Sequence, residues 1–275
     1  IIEYTSIKEK KGTDLLARIY PLFSSSKGNC IYMGDANNGI MIDCGVTCKR
    51  VCEALSDNGI SEDAVKGIFI THTHSDHIKG LKVFLKKHRV PIYAQQKNLD
   101  ILFDCEALPE GTICYAIDGS TTEIGGFTVD YFVTPHDTPA SCGYRVVYPE
   151  GKVACLCTDL GCVTETVWQS LTGADLIMLE SNYDPDMLKF GSYAPALKSR
   201  ISSEYGHLSN NECGYRLSML AEQGTMNFIL GHLSEENNTP QKAEQSAVCS
   251  LSPRVREQDY LLYVAPPSGG RAVVF

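Results

Sequence analysis

Short apolar runs separated by turn residues fill the chain, and their period changes along it. Runs at 18–22, 30–34, 40–43, 67–70, 92–94, 127–132, 143–147, 153–157, 176–179, 228–230 and 261–264 are brief and mostly rich in Val, Ile and Phe, which predicts strands. Helical periodicity over 49–58, 78–88, 164–171, 211–222 and 241–249 predicts helices, with Asn210 as N-cap of the fourth. Early strands come in hairpin-like pairs and helices are spread through both halves. The pattern predicts a layered α/β protein with helices outside sheets. No repeat of roughly 20–50 residues and no low-complexity linker interrupts it. One domain over 18–275, of two pseudo-equivalent halves, is expected. Residues 1–17 are polar, carry Lys8-Glu9-Lys10-Lys11-Gly12, and read as an N-terminal extension.

The 275 residues are 43% hydrophobic, enough for a large core. With 24 Lys and Arg against 33 Asp and Glu the net charge is −9, which argues against a broad nucleic-acid-coating surface. A local cationic site stays open, because bound divalent metals add charge that the count omits. No apolar run reaches membrane-spanning length and no signal peptide is read at the start, so a cytoplasmic protein with no membrane partner is expected. The twelve cysteines form no dense, regular framework and read as reduced, buried thiols. Cys155 and Cys157 alternate within an apolar run, and Cys44, Cys48 and Cys52 recur every four residues and would share a helix face.

The histidines change the picture. His72, His74 and His77 fall in one run, Thr71-His72-Thr73-His74-Ser75-Asp76-His77, while His136, His207 and His232 each follow an apolar run. His88 reads as a surface residue. Three imidazoles and a carboxylate within six residues are too many for one open tetrahedral site, and suggest two adjacent metals. His72 and His74, two apart in extended chain, point the same way and can share a metal. Asp76 and His77 come where the chain turns helical, so they can take a second. Further donors must come from distant segments: His136 after the 127–132 strand, Asp159 after 153–157, and His232 after 228–230. Ligands at strand ends on one rim make a convergent site, and Asp159 is the best bridging carboxylate.

On these residues the chain resembles the metallo-β-lactamase fold superfamily. The match comprises Asp43 in Ile40-Met41-Ile42-Asp43-Cys44-Gly45, the H-x-H-x-D-H run, His136, Asp159 and His232, in the family's order, over roughly 18–265. The resemblance implies an αββα sandwich, with His72, His74 and His136 on one metal, Asp76, His77 and His232 on the other, Asp159 bridging, and Asp43 as a buried support. A narrower resemblance rests on Ser24-Ser25-Ser26-Lys27-Gly28-Asn29, Thr158-Asp159-Leu160-Gly161, Glu180-Ser181-Asn182-Tyr183-Asp184, Gly206-His207-Leu208-Ser209-Asn210 and the stretch from His232 to Asn238. These are similar to the YycJ/VicX-like (WalJ) branch, itself related to tRNA 3′-processing endonucleases. That branch implies phosphodiester hydrolysis of nucleic acid, DNA in particular, by an exonuclease. The chain departs from the branch at Ser25, where glycine is common, and at Tyr183, where histidine is common.

The implied chemistry is a water held between two divalent metals, its pKa lowered, attacking the phosphate in line. Asp76 is read as the acceptor of its proton. The resemblance assigns His207 to protonating the leaving oxygen or stabilising the developing charge. Asp137 and Glu180 are read as partners orienting histidine ligands. Ser25, Asn29, Tyr193 and Arg200, with Lys27 and Lys198 nearby, are candidate phosphate contacts. His-rich donors suit zinc; manganese suits a nuclease. Iron is disfavoured because the diiron oxidoreductase branch usually has glutamate at the His74 position. Two competing readings use the same features: a thioester or lactone metallohydrolase, which the acidic charge favours, and a non-catalytic metal-stabilised scaffold, which the intact donor set disfavours. Only 72 residues separate Asp159 from His232, which leaves no room for a large inserted substrate-binding domain.

Overall fold

Successive side chains of a strand face opposite ways, and in most strands here both faces are apolar. Ile40 and Ile42 face one way and Met41 the other; Ala154 and Leu156 oppose Cys155 and Cys157. Such strands must be covered on both sides. The computed structural model, which describes residues 16–275, meets that demand with four layers.

The first sheet places β1 (Arg18–Ser25), β2 (Gly28–Gly34), β3 (Gly39–Ile42), β4 (Val65–Phe69), β5 (Ile92–Ala94) and β6 (Cys114–Ala116) side by side in chain order. The second does the same with β7 (Thr122–Ile124), β8 (Phe127–Val133), β9 (Cys142–Val147), β10 (Val153–Cys157), β11 (Leu176–Glu180), β12 (Asn227–Gly231) and β13 (Leu261–Val264). The chain returns to the first sheet with β14 (Val273–Val274) on the β1 edge. Each sheet is antiparallel early and parallel late, the change falling at β3 and at β10. Parallel strands need crossovers, and helices supply most of them. Outside the first sheet lie α1 (Cys48–Asp57), α2 (Ser75–Ile78), α3 (Leu81–Lys87) and α4 (Gln96–Asp104). The second half carries α5 (Glu165–Leu171), α6 (Pro185–Phe190), α7 (Pro195–Ile201), α8 (Asn210–Glu222) and α9 (Pro240–Leu251). Of these α5, α8 and α9 cover the outer face of the second sheet, while α6 and α7 fill the stretch between β11 and α8.

Three core layers result. Between the sheets pack Ile40, Ile42, Phe69, Tyr144, Leu156, Met178 and Ile229. Outside the first sheet, Met41 and Ile68 meet Val51, Leu55, Phe84 and Leu102 from the helices. Outside the second, Cys155, Ile177 and Phe228 meet Val167, Leu217 and Ala247. This is the αββα sandwich. No helix among the described residues is long and apolar enough to cross a membrane.

Several expectations are corrected. The helix expected over 78–88 is two: it begins earlier, at Ser75, and breaks at Lys79 and Gly80. Gly80 is pinned there, its N–H donating to Cys44 O at 2.8 Å, and a Cβ on it would stand 1.9 Å from Val46 O. The N-cap of α8 is Ser209, whose hydroxyl accepts from Glu212 N; Asn210 turns inward instead. Cys44 precedes α1, so only Cys48 and Cys52 lie on that helix. All twelve cysteines are free, but Cys105 and Cys249 are exposed. His88 is mostly covered, its side chain 12% exposed. Residues 1–15 of the expected extension lie outside the described residues; Ala17 is already buried and accepts from Phe275 N at 3.1 Å. Helices α4, α6 and α7 and strands β6, β7 and β14 were not expected. Most are too short to show a period, and Pro185 and Pro195 open α6 and α7, where the first helical position tolerates proline.

Candidate metal centre

Every candidate donor leaves the fold at one rim. Asp43 follows β3, His72 and His74 follow β4, His136 follows β8, Asp159 follows β10, Glu180 ends β11 and His232 follows β12. Three of them, Asp43 (φ 61°), Asp159 (φ 58°) and His232 (φ 54°), hold a left-handed backbone without being glycine. Such residues cost about 1–3 kcal/mol each and persist where their surroundings demand them. The two sheets are tied at the same rim: Ser25 bridges to Leu233, and Ser24 Oγ accepts from His232 N at 2.8 Å.

The side chains converge in groups whose donor atoms lie within 4.8 Å of one another. His72, His74 and His136 form one group, and Asp76, His77 and His232 a second. Asp159 belongs to a group with His72 and His77 and to another with Glu180, His207 and His232. It lies 3.4 Å from His77 Nε2 and 3.8 Å from His136 Nε2, so it touches both triads. His136 Nε2, His232 Nε2 and Asp159 Oδ2 are buried and have no hydrogen-bond partner. Buried polar atoms are nearly always satisfied, so three orphans in one spot fit a cation.

The remaining ring nitrogens explain why the orphans point inward. Glu180 Oε1 accepts from His232 Nδ1 at 2.7 Å, and Asp43 Oδ2 from His77 Nδ1 at 2.7 Å. Gly206 O accepts from His136 Nδ1 at 3.1 Å. Thr71 Oγ1 spends its proton on Asp43 Oδ2 at 2.8 Å, so it accepts from His72 Nδ1 at 3.1 Å. Each partner fixes the tautomer with Nδ1 protonated and leaves Nε2 facing the centre, as metal-ligating histidines require.

Charge follows the same logic. Burial and the neighbouring His77 and His136 hold His72 well below the usual histidine value, and burial lowers His74. Burial opposes charge on His77 too, but the Asp43 and Asp159 carboxylates override it and push His77 up to about 10. His232 is likewise raised against burial, by the facing Asp159, Asp76 and Glu180 carboxylates. Burial would raise Asp76, but the facing His232 and His77 hold it well below the carboxylate range. Both lowered shifts favour neutral imidazole at His72 and His74. In the other triad, protons on His77 and His232 balance the carboxylates where a metal would replace them.

Among the other candidates, His207 Nδ1 bonds to Glu180 Oε1 at 2.9 Å and its ring centroid lies 5.2 Å from that of His136. Its side chain is 19% exposed and that of Asp76 is 21% exposed. Asp137 lies 3.5 Å from His136 Nε2 and is ion-paired with Arg200, which stays half-exposed at the rim. Tyr193 is half-buried near the start of α7. Ser25 and Asn29, expected to meet phosphate, are buried. Asn29 Nδ2 instead lies 3.0 Å from His77 Nε2 and 3.3 Å from Asp76 Oδ2, also donating to Ser25 O. Lys27 is paired with Glu235, and Lys198 is spent on the Lys189 and Gly191 carbonyls. Sequence reading missed Thr71, Ser24 and Asn182, the last donating to His232 O at 2.9 Å. Thr71's place beside His72, and the places of Ser24 and Asn182 within the stretches that carry the narrower resemblance, were the signals for them.

This fold and this rim define a metallohydrolase-type centre, and the chain belongs to the metallo-β-lactamase superfamily, whose model matches residues 26–232. That fold implies divalent metal binding at the His/Asp cluster. The chain is 31% identical over 234 residues to exodeoxyribonuclease WalJ of Streptococcus pneumoniae serotype 2 (strain D39 / NCTC 7466), covering 84% of this chain and 87% of that one. Exodeoxyribonuclease YycJ of Bacillus anthracis is also 31% identical, over 226 residues, with 82% and 85% covered. The solved metallo-β-lactamase fold protein YhfI from Bacillus subtilis shares the architecture at a TM-score of 0.70 and 16% identity, over 94% of this chain and 100% of that one.

Proposed function

We propose that this chain is a dinuclear-metal phosphodiesterase that degrades DNA as an exonuclease. The observation that carries the proposal is the pair of donor triads sharing Asp159. His72, His74 and His136 would hold one metal; Asp76, His77 and His232 would hold the other. Two divalent metals in such a pair supply Lewis acidity and a water nucleophile active at neutral pH. Nitrogen-rich donors suit zinc, and manganese is the second candidate.

The chain's own residues then divide the proton work. Asp76, ionised and partly exposed, accepts the proton of the attacking water. The Glu180 carboxylate raises His207 above the ordinary histidine value against burial, which favours its protonated form. Its Nδ1 is committed to Glu180, which leaves Nε2–H to protonate the departing oxygen. Arg200, half-exposed beside Asp137, would meet a flanking phosphate. The exodeoxyribonuclease relatives support DNA as the substrate.

The test compares single- and double-stranded DNA and RNA with thioester and lactone substrates, each with Mn²⁺ and with Zn²⁺. Release of nucleotides from DNA is expected. Fast thioester or lactone hydrolysis with intact DNA would overturn the proposal.

A further inference from the structure

A second convergence of metal-type donors lies on the outer helices. Cys52 sits on α1, Glu62 in the 3₁₀ turn Glu62–Ala64, and His88 at the C-cap of α3. The donor atoms of these three residues lie within 4.8 Å of one another. Cys48, one helical turn before Cys52, places its Sγ 3.9 Å from Cys52 Sγ. Two thiolates bound tetrahedrally at about 2.3 Å from one zinc stand about 3.8 Å apart, so the helix already holds the sulfurs at that spacing.

Packing aims the third donor. The His88 ring lies on Phe84, centroids 4.6 Å apart. Its buried Nε2 stands 2.6 Å from Glu62 Oε2 but without hydrogen-bond geometry, so it has no hydrogen-bond partner. Lys87 Nζ holds the same carboxylate oxygen at 2.6 Å and comes within 3.6 Å of Cys52 Sγ. The Lys87 side chain is 53% exposed and can swing into solvent. An ammonium thus stands where sulfur, oxygen and nitrogen donors meet.

We infer that Cys52, Glu62 and His88, with Cys48 as the fourth donor after a side-chain rotation, form a separate site for one thiophilic divalent metal of the zinc class. Lys87 competes with that metal for Glu62. Each thiol releases its proton to solvent as its sulfur–metal bond forms, so binding strengthens with pH. The site ties α1 to the end of α3. Because α3 follows directly on the α2 turn that carries Asp76 and His77, the metal braces the scaffold behind the rim without touching substrate.

Cobalt titration of the full chain, stripped of metal and kept reduced without added thiols, tests the site independently of any hydrolytic activity. The rim donors are all nitrogen and oxygen, so a thiolate-to-cobalt charge-transfer band in the near ultraviolet reports the cysteine site alone. The band is expected to saturate at the intensity of one thiolate-bound cobalt per chain, beside the cobalt that fills the rim. It should disappear in Cys52→Ser, and native mass spectrometry should count one metal fewer in His88→Ala. Lys87→Met, an exposed change that leaves folding intact, should bind cobalt more tightly. No band at saturation would overturn the inference, as would a band undiminished in Cys52→Ser. If Cys52→Ser fails to fold, an unchanged affinity in both Glu62→Gln and Lys87→Met overturns it.

Discussion

His207 and His232 share one carboxylate oxygen: Glu180 Oε1 lies 2.9 Å from His207 Nδ1 and 2.7 Å from His232 Nδ1. A single buried glutamate therefore sets the tautomer of a candidate metal ligand and of the candidate acid. Its other oxygen accepts from Leu160 N and Leu208 N, which locks it between the Asp159 and His207 loops. Although the two histidines share that oxygen, their substitutions should differ. His207→Ala should cut phosphodiester hydrolysis by about 10²–10⁴-fold, the usual contribution of a general acid, with metal content unchanged. Metal loss in that variant would make His207 a ligand instead.

Glu180→Gln should weaken metal binding by about 10–100-fold, as lost partners of metal-bound histidines do, and also slow turnover. Metal counting and kinetics on the same preparation separate the two effects. Wild-type affinity in that variant would show that Glu180 does not orient His232.

Asp159→Asn keeps the shape and removes the charge that both triads face. The variant should hold fewer than two metals at the rim and lose hydrolysis, measured by elemental analysis of the dialysed protein. Full metal content would dismiss Asp159 as the shared ligand.

Gly45 matters through space alone. A Cβ there would stand 1.6 Å from Asp76 O, in the turn that delivers Asp76 and His77. Gly45→Ala must push that turn outward, costing about 1–3 kcal/mol of stability as overpacking does. Metal affinity should fall along with melting temperature. A variant that melts like the parent would mean the turn yields freely.

Metal-free protein should become less stable as pH rises. His77 has a folded value of about 10 against an ordinary 6.5, so the folded state holds this proton more tightly. Its contribution to stability is complete below pH 6.5 and is lost as pH climbs through about 10. Melting temperatures of chelated protein should fall across that window, while metal-loaded protein should not follow, because a metal then occupies the proton's place. Equal behaviour of the two forms would contradict the charge assignment at His77.

The fold and the donors were legible for different reasons. Two-faced apolar strands such as 153–157 announce a covered sheet, and three imidazoles around Asp76 have no packing explanation. The supports were not legible. Thr71, Ser24 and Asn182 are ordinary polar residues whose roles come from contacts such as Ser24 with His232, 208 residues away. Asn29 and Ser25 looked like surface loop residues because nothing local reveals that Ser25 ends β1 and bridges to Leu233, with Asn29 paired beside it in β2. His88 looked like surface for the same reason: its partners, Cys52 and Glu62, come from α1 and the turn after it. Gly80 broke an otherwise good helical period because a backbone contact with Cys44, invisible in the period, holds it.

The most direct test of the two-metal nuclease is hydrolysis of end-labelled DNA by chelated protein, before and after Mn²⁺ is restored, beside His207→Ala carrying the same restored metal. Chelation should stop nucleotide release, restoration should return it, and His207→Ala should stay nearly inactive. Intact DNA with the restored wild-type protein, or full activity from the chelated one, would contradict the account.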